Sequence, residues 1–369
     1  MDRIKKNFGF GCMRLPMKGE EVDIEQFTQM VDCFIANGFN YFDTAHPYIN
    51  GLSEKAIKVA LTSRYSRDKY LLTNKLTAPY FNKQEDIRPF FESQLELCGV
   101  DYFDFYLMHA QSSRNYDKFV ACNAYQTAFQ LKKEGKIRHV GLSFHDTPEF
   151  LDKILTENPE IEIVQIQLNY LDWENPGVQS KGVYEVCEKH GKPVIVMEPV
   201  KGGALVNLPE ESQVYLDELK GGSNASYAIR YAASLPMVKM VLSGMSGLPQ
   251  MEDNVSFMKE FKPLSEKEYQ AIDKVVESYK KKKSIACTAC RYCIEENHCP
   301  KDIQIPNCFA AYNAKMVFRD WTAGDQYQAA ILNHGAADSC IKCGKCERVC
   351  PQHLPIRELL KSVAEEFKK

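Results

Sequence analysis

The sequence predicts an α/β chain: a (β/α)8 TIM-type barrel followed by a small cysteine-rich domain. Three observations carry that expectation. Over residues 1 to about 280, short apolar runs alternate with amphipathic stretches, the rhythm of a parallel sheet covered by helices. Eight such runs occur, the strand count of a closed barrel. Of 14 cysteines, nine crowd between Cys287 and Cys350. An open doubly wound sheet is the alternative, but no G-x-G-x-x-G follows the first run.

The expected strands are Phe8–Met13, Tyr41–Thr44, Tyr70–Asn74, Phe103–Met108, His139–Ser143, Ile163–Gln167, Val194–Glu198 and Val238–Leu242. Helices fit between them. Ile24–Asn37 stops at Gly38, Gln84–Leu97 at Gly99, Asp117–Glu134 at Gly135 and Val183–His190 at Gly191. Glycine after a helix and before a strand is the expected loop chemistry. Ser53–Arg64 opens on Ser53, a good N-cap residue. A polar helix, Glu266–Lys280, runs into Lys281-Lys282-Lys283, read as a solvated helix end. The cysteine spacing begins just beyond, so the domains are expected at 1–283 and 284–369, the second closing on a C-terminal helix.

Composition excludes several classes. The chain is 44% hydrophobic and 26% charged, too apolar to stay disordered. Lys+Arg is 46 against Asp+Glu 49, a net charge of -3, so no basic excess supports nucleic-acid binding. No apolar run is long enough for a membrane span, and MDRIKKNFGFG is not a signal peptide. The expected compartment is cytoplasmic, and an anaerobic or microaerobic source suits oxygen-labile clusters of the kind read below.

The cysteines form two arrays. One is Cys287-x2-Cys290-x2-Cys293-x5-Cys299-Pro300; the other is Cys340-x2-Cys343-x2-Cys346-x3-Cys350-Pro351. The second matches the bacterial ferredoxin run at every position, and the first departs from it by two residues before Cys299. In two-cluster ferredoxins the fourth cysteine of each run serves the other cluster. That rule gives one [4Fe-4S] cluster Cys287, Cys290, Cys293 and Cys350, and the other Cys340, Cys343, Cys346 and Cys299. Zinc is the alternative metal, but zinc ribbons use cysteine pairs rather than triplets followed by Cys-Pro. Cys308, Cys12, Cys33, Cys98, Cys122 and Cys187 read as small buried hydrophobes.

In the barrel, four polar residues sit at or just beyond strand ends: Asp43, Tyr48, Lys75 and His109. Each alone has a bland alternative, as a turn cap, a solvated cation or a core histidine. Placed together at successive strand ends, they converge on one mouth. A tyrosine beside a buried Lys and Asp makes a general acid, with the ammonium expected to lower its pKa, and the His orients a carbonyl.

On these residues the resemblance is plain. Residues 1 to about 280 resemble the aldo-keto reductase superfamily at Gly9-Phe10-Gly11, Tyr41-Phe42-Asp43-Thr44-Ala45, Tyr48, Leu72-Thr73-Asn74-Lys75, Asp104-Phe105-Tyr106-Leu107-Met108-His109, Gly141-Leu142-Ser143 and Glu252-Asp253-Asn254. The whole chain is similar to the bacterial branch with a C-terminal ferredoxin-type [4Fe-4S] domain. The resemblance implies a barrel that binds NAD(P)H without a Rossmann fold and reduces an aldehyde or ketone. Its catalytic tetrad falls on Asp43, Tyr48, Lys75 and His109, with the tyrosine as acid. Its carboxamide-binding set falls on Ser143 and Gln165, with Phe144 where the family has Asn, and its nicotinamide-stacking aromatic falls on Met197. The adenine-holding positions are Asp253 and Asn254. The two cations that grip the NADP 2′-phosphate fall on Gly244 and Gln250, so a weak NADP preference is expected.

Two residues nearby have open roles. His145 either lines the mouth or lies on a surface loop, and His46 reads as local turn packing. Hydride carries two electrons, whereas iron–sulfur clusters pass one. A flavin in the barrel would bridge that mismatch; structural or sensing clusters, or a ferredoxin donor, are the other solutions. Two functions therefore stand: a carbonyl reductase, or an electron-transfer module whose barrel is a scaffold or flavin site. Substrate choice is expected to lie in the loops at 110–116 and 169–177.

Overall fold

The computed structural model describes residues 1–368 apart from 176, 283, 296–298 and 319. Eight parallel strands close a barrel: β1 (Phe8–Gly11), β2 (Tyr41–Asp43), β3 (Leu71–Leu76), β4 (Phe103–Gln111), β5 (Ile137–Phe144), β6 (Ile163–Gln167), β7 (Val194–Met197) and β8 (Val238–Gly244). Chain order is spatial order, and β8 pairs back onto β1 with Phe8 beside Val241. All eight expected runs are strands, shifted by at most three residues at an end.

Alternate strand residues point inward, which is why each strand yields both core and site. Tyr41, Leu71, Phe105, Leu107, Ile163, Ile195, Met240 and Leu242 form the interior cluster. Gly9 makes room there: a Cβ would stand 2.7 Å from Leu242 Cδ2 and 3.0 Å from Tyr41 Cδ1. Outside the sheet, helix Ile24–Ala36 buries Phe27, Met30, Val31 and Phe34 along one face. Phe34 meets Phe8, Phe10, Phe39 and Phe42 with ring centroids 5.0–6.0 Å apart.

Several helices differ from the expectation. Ser53 is no N-cap: the helix Leu52–Ile57 starts from Gly51 at φ 82, and a π-helical turn Lys58–Thr62 follows. The buried Ser53 hydroxyl instead donates to the Cys12 carbonyl at 2.9 Å. The stretch Asp117–Glu134 is two helices, Tyr116–Ala121 and Ala124–Lys133, split by Asn123 at φ 51. A two-residue hairpin, Met17–Lys18 with Glu21–Val22, was not legible.

By contacts the chain divides into two units. One holds 1–174, 179–199 and 225–264; the other holds 175–178, 200–224 and 265–369. The expected boundary residue, Lys283, lies outside the described residues. Lys282 is not simply solvated: it pairs with Glu211 at 2.8 Å within the second unit. That unit has its own core, in which Ile303, Ile305, Phe309, Ile356 and Leu360 pack with Cys293, Cys308, Cys346 and Cys350. Cys12, Cys98, Cys122, Cys187 and Cys308 are buried as expected, whereas Cys33 is partly exposed. No helix among the described residues is long and apolar enough to cross a membrane.

Candidate functional site

Asp43 ends β2, Lys75 lies near the end of β3 and His109 near the end of β4, so all three stand at the C-terminal mouth of the barrel. Tyr48 reaches the same place from the turn after β2, whose first bond runs from Tyr48 N–H to the Ala45 carbonyl. The Lys75 ammonium is fully buried. Its three N–H donors meet three acceptors: Asp43 Oδ1 at 2.6 Å, the Thr44 carbonyl at 2.8 Å and the Tyr48 hydroxyl at 3.1 Å. Such full satisfaction lets the charge stay inside. Burial pulls Lys75 down while Asp43 holds it up, and burial pushes Asp43 up against the pull of Lys75.

A buried network fixes the β3 backbone beneath this lysine. Lys75 N–H donates to Asn74 Oδ1 at 2.8 Å, and Gln94 Nε2 donates to the Lys75 carbonyl at 3.1 Å. Asn74 Nδ2 donates to Glu54 Oε1 at 2.8 Å, and Glu54 Oε2 lies 2.7 Å from His46 Nδ1. His46 packs edge-on against Tyr80 and Phe90.

His109 sits 6.0 Å from Tyr48, ring to ring. β4 carries one extra residue here, because Met108 pairs with Leu142 and Gln111 with Phe144. Ala110 takes φ 51 in that bulge, which re-aims the neighbouring side chain. Thr77 Oγ1 lies 2.8 Å from His109 Nδ1. Burial, then the Lys75 charge and His145, hold His109 well below the usual histidine range, so it is neutral. His145 is partly exposed and thus bears on the mouth electrostatically.

The ammonium does not lower the Tyr48 pKa as expected. Burial, with the Asp43 charge next, pushes the phenol well above its usual value. The phenol therefore keeps its proton at neutral pH, while Lys75 is placed to stabilise the phenolate when that proton leaves.

The expected nicotinamide contacts are at the same mouth but engaged with protein. Ser143 Oγ accepts from Ala110 N–H at 2.8 Å, and Gln165 Nε2 donates to Asp43 Oδ2 at 3.1 Å. Asn254 Nδ2 donates to Ser243 Oγ at 3.1 Å, and Asp253 beside it is partly exposed. Met197 ends β7 and Phe144 is buried. One residue escaped the sequence reading: the Arg14 side chain lies where a Gly244 Cβ would meet it at 3.4 Å. The aliphatic stem of a cationic side chain from the far end of the chain thus lies against the loop that lacks a cation of its own. Of the expected specificity loops, the first starts in β4 and ends at buried Tyr116; the second starts at Asn169, pinned to Asp172 at 2.7 Å.

The second unit gathers the cysteine arrays. One cavity is lined by Cys340, Cys343, Cys346 and, from the other array, Cys299. Cys293 is raised by burial first, and then by Cys290, Cys287, Cys350 and Cys346 around it. The cavity joins the second triplet to Cys299, as the crossed rule of two-cluster ferredoxins expects, and Cys350 comes near the first triplet together with Cys346. Four converging thiols from a triplet and a remote Cys-Pro fit a [4Fe-4S] cluster. Cys308 belongs to neither expected set and is buried in the core of the unit, in the same cluster as Cys293, Cys346 and Cys350.

The fold and the tetrad define an oxidoreductase barrel, and the chain belongs to the aldo/keto reductase family, whose profile matches residues 7–277. The profile of the 4Fe-4S dicluster domain matches residues 286–355. An aldo-keto reductase from Bacillus halodurans, solved in its holo form, superposes with a TM-score of 0.60 at 26% identity, over 73% of this chain and 92% of that one. One from Klebsiella pneumoniae in complex with NADPH has the same fold at 19% identity and TM-score 0.60, over 73% and 90%. L-galactose dehydrogenase of Arabidopsis thaliana is 25% identical, over 62% of this chain and 76% of its own length. Glyoxal reductase of Bacillus subtilis is 26% identical over 54% of this chain, and the match spans about two thirds (65%) of that relative.

Proposed function

We propose that this protein reduces an aldehyde or ketone with NAD(P)H, using Tyr48 as the general acid, and that its cluster-binding unit exchanges single electrons. The observation that carries the first part is the buried Lys75 ammonium, shared between Asp43 Oδ1 at 2.6 Å and the Tyr48 hydroxyl at 3.1 Å. A nicotinamide dinucleotide supplies the hydride. The chain's own residues do the rest. Tyr48 hands its proton to the carbonyl oxygen, and Lys75 stabilises the phenolate left behind. Asp43 balances the ammonium. With Thr77 as donor to Nδ1, neutral His109 carries its proton on Nε2 and donates to the same oxygen. Ser143, Gln165, Asp253 and Asn254 would hold the nucleotide, with Arg14 as the remaining cation.

The test is an anaerobic assay with small aldehydes. Methylglyoxal and glyoxal are sensible first probes, since two relatives are named as reductases of these compounds. Tyr48→Phe is expected to lower kcat by about 10²–10⁴-fold, the usual worth of a positioned acid. Unchanged turnover would remove Tyr48 from the role. The NADPH and NADH affinities are expected to differ by less than about tenfold, as one cation makes fewer charge-assisted bonds than two.

The second reading, an electron-transfer protein with the barrel as scaffold, draws on the exposure of Cys343 at the protein surface. Iron, sulfide and flavin measured on one anaerobic sample separate the readings further. About eight irons and no flavin fit a nicotinamide reductase with two clusters; flavin in the extract would make the barrel a two-to-one electron converter.

A further inference from the structure

We propose that the rim of the second cysteine array is the docking face for a small acidic one-electron carrier protein. This rests on the reading that the cluster unit exchanges single electrons, and it says where and with what. Among the eight candidate ligand cysteines, Cys343 alone is exposed; the rest are buried or partly so. Its neighbour Ile341 is 54% exposed, an apolar contact at the centre of the rim. Lys301, Lys345 and Arg357 line the same cavity as Cys299, Cys340, Cys343 and Cys346. Lys342 stands between Cys340 and Cys343, and all four cations are exposed. Arg357 is paired with Glu347 at 2.8 Å, so exposed Lys301 and Lys342 are the cations on which the docking argument rests.

This basic rim sits on a chain whose net charge is -3. An acidic carrier is therefore steered to the rim rather than to the molecule at large. Redox encounters are small and transient, so a rim of this size with one apolar contact is enough. The step balances simply. The reduced carrier loses one electron, and the cluster held by Cys299, Cys340, Cys343 and Cys346 gains it, with no bond made or broken.

The test uses the anaerobic holoprotein and an acidic flavodoxin as the probe. Equilibrium titration is expected to give binding at low salt that weakens at least tenfold as ionic strength rises to about 0.3 M, because surface attraction is screened. Lys301→Glu with Lys342→Glu is expected to weaken binding at least tenfold, with iron content and reduction by dithionite unchanged. Lys267→Glu, an exposed change in helix Glu266–Lys280 that does not line the cavity, is expected to leave binding as it was. Binding that ignores both salt and charge reversal overturns the docking face alone. Failure of dithionite to reduce the bound iron overturns the electron-exchange reading and this proposal with it. Capture of duplex DNA in preference to flavodoxin would also overturn it, reassigning the rim to a phosphate backbone.

Discussion

Lys75 has three hydrogens and three acceptors, and the chemistry of the mouth follows from that fit. The pH dependence follows too. The raised Tyr48 phenol holds its proton until pH climbs through that raised value. The depressed His109 stays neutral until pH falls through its lowered value. Both working forms therefore persist across ordinary pH, and kcat for carbonyl reduction is expected to be flat between about pH 6 and 9. A bell centred near neutrality would assign the acid or the base elsewhere. At this scale the tetrad was legible because strand ends announce themselves in sequence. Thr77 against His109, Gln165 against Asp43 and Arg14 against Gly244 were not. Thr77 meets His109 through the pairing of β3 with β4, and the other two pairs meet only when the barrel closes; nothing in their spacing encodes it.

Elements were legible where one physical signal dominates. The strands show because alternate residues must fill a barrel interior and the others must face helices. Helix ends at Gly38, Gly99, Gly135 and Gly191 show because each of these glycines takes a positive φ. Asn123 does the same work inside an apparently continuous helix, and asparagine is too common elsewhere to mark it. The hairpin at 17–22 is too short and too exposed to leave a pattern. Helix Ile24–Ala36 offers a direct test. Phe34 is fully buried among four other rings, so Phe34→Ala is expected to cost about 3–5 kcal/mol in barrel stability. Chemical denaturation followed by far-UV circular dichroism reads this. A loss under about 1 kcal/mol would mean the neighbouring rings collapse into the space.

Across the whole molecule, the two units hold themselves together by different means. The barrel has a continuous hydrocarbon interior, whereas the core of the second unit has Cys293, Cys346 and Cys350 built into it. Stripping iron should therefore loosen the second unit and spare the barrel, since metal binding and folding are linked where ligands form the core. Limited proteolysis after anaerobic chelation is expected to cut within 284–369 first and leave a resistant barrel fragment. Equal digestion of both units would refute that division of labour. The two arrays were the most legible feature of the chain, because ligand spacing is set by the metal group rather than by the surrounding fold.

The crossed cysteines also impose an order in time. Cys293 lies with Cys350, and Cys346 with Cys299, so neither set is whole within its own stretch of chain. As the polypeptide leaves the ribosome, the first triplet emerges about sixty residues before Cys350, the partner that completes it. During that interval it is an open chelator, three thiols wide. The barrel can fold while the chain is still being made, but one cubane cannot be sealed until Cys346 has been synthesised, and the other waits for Cys350.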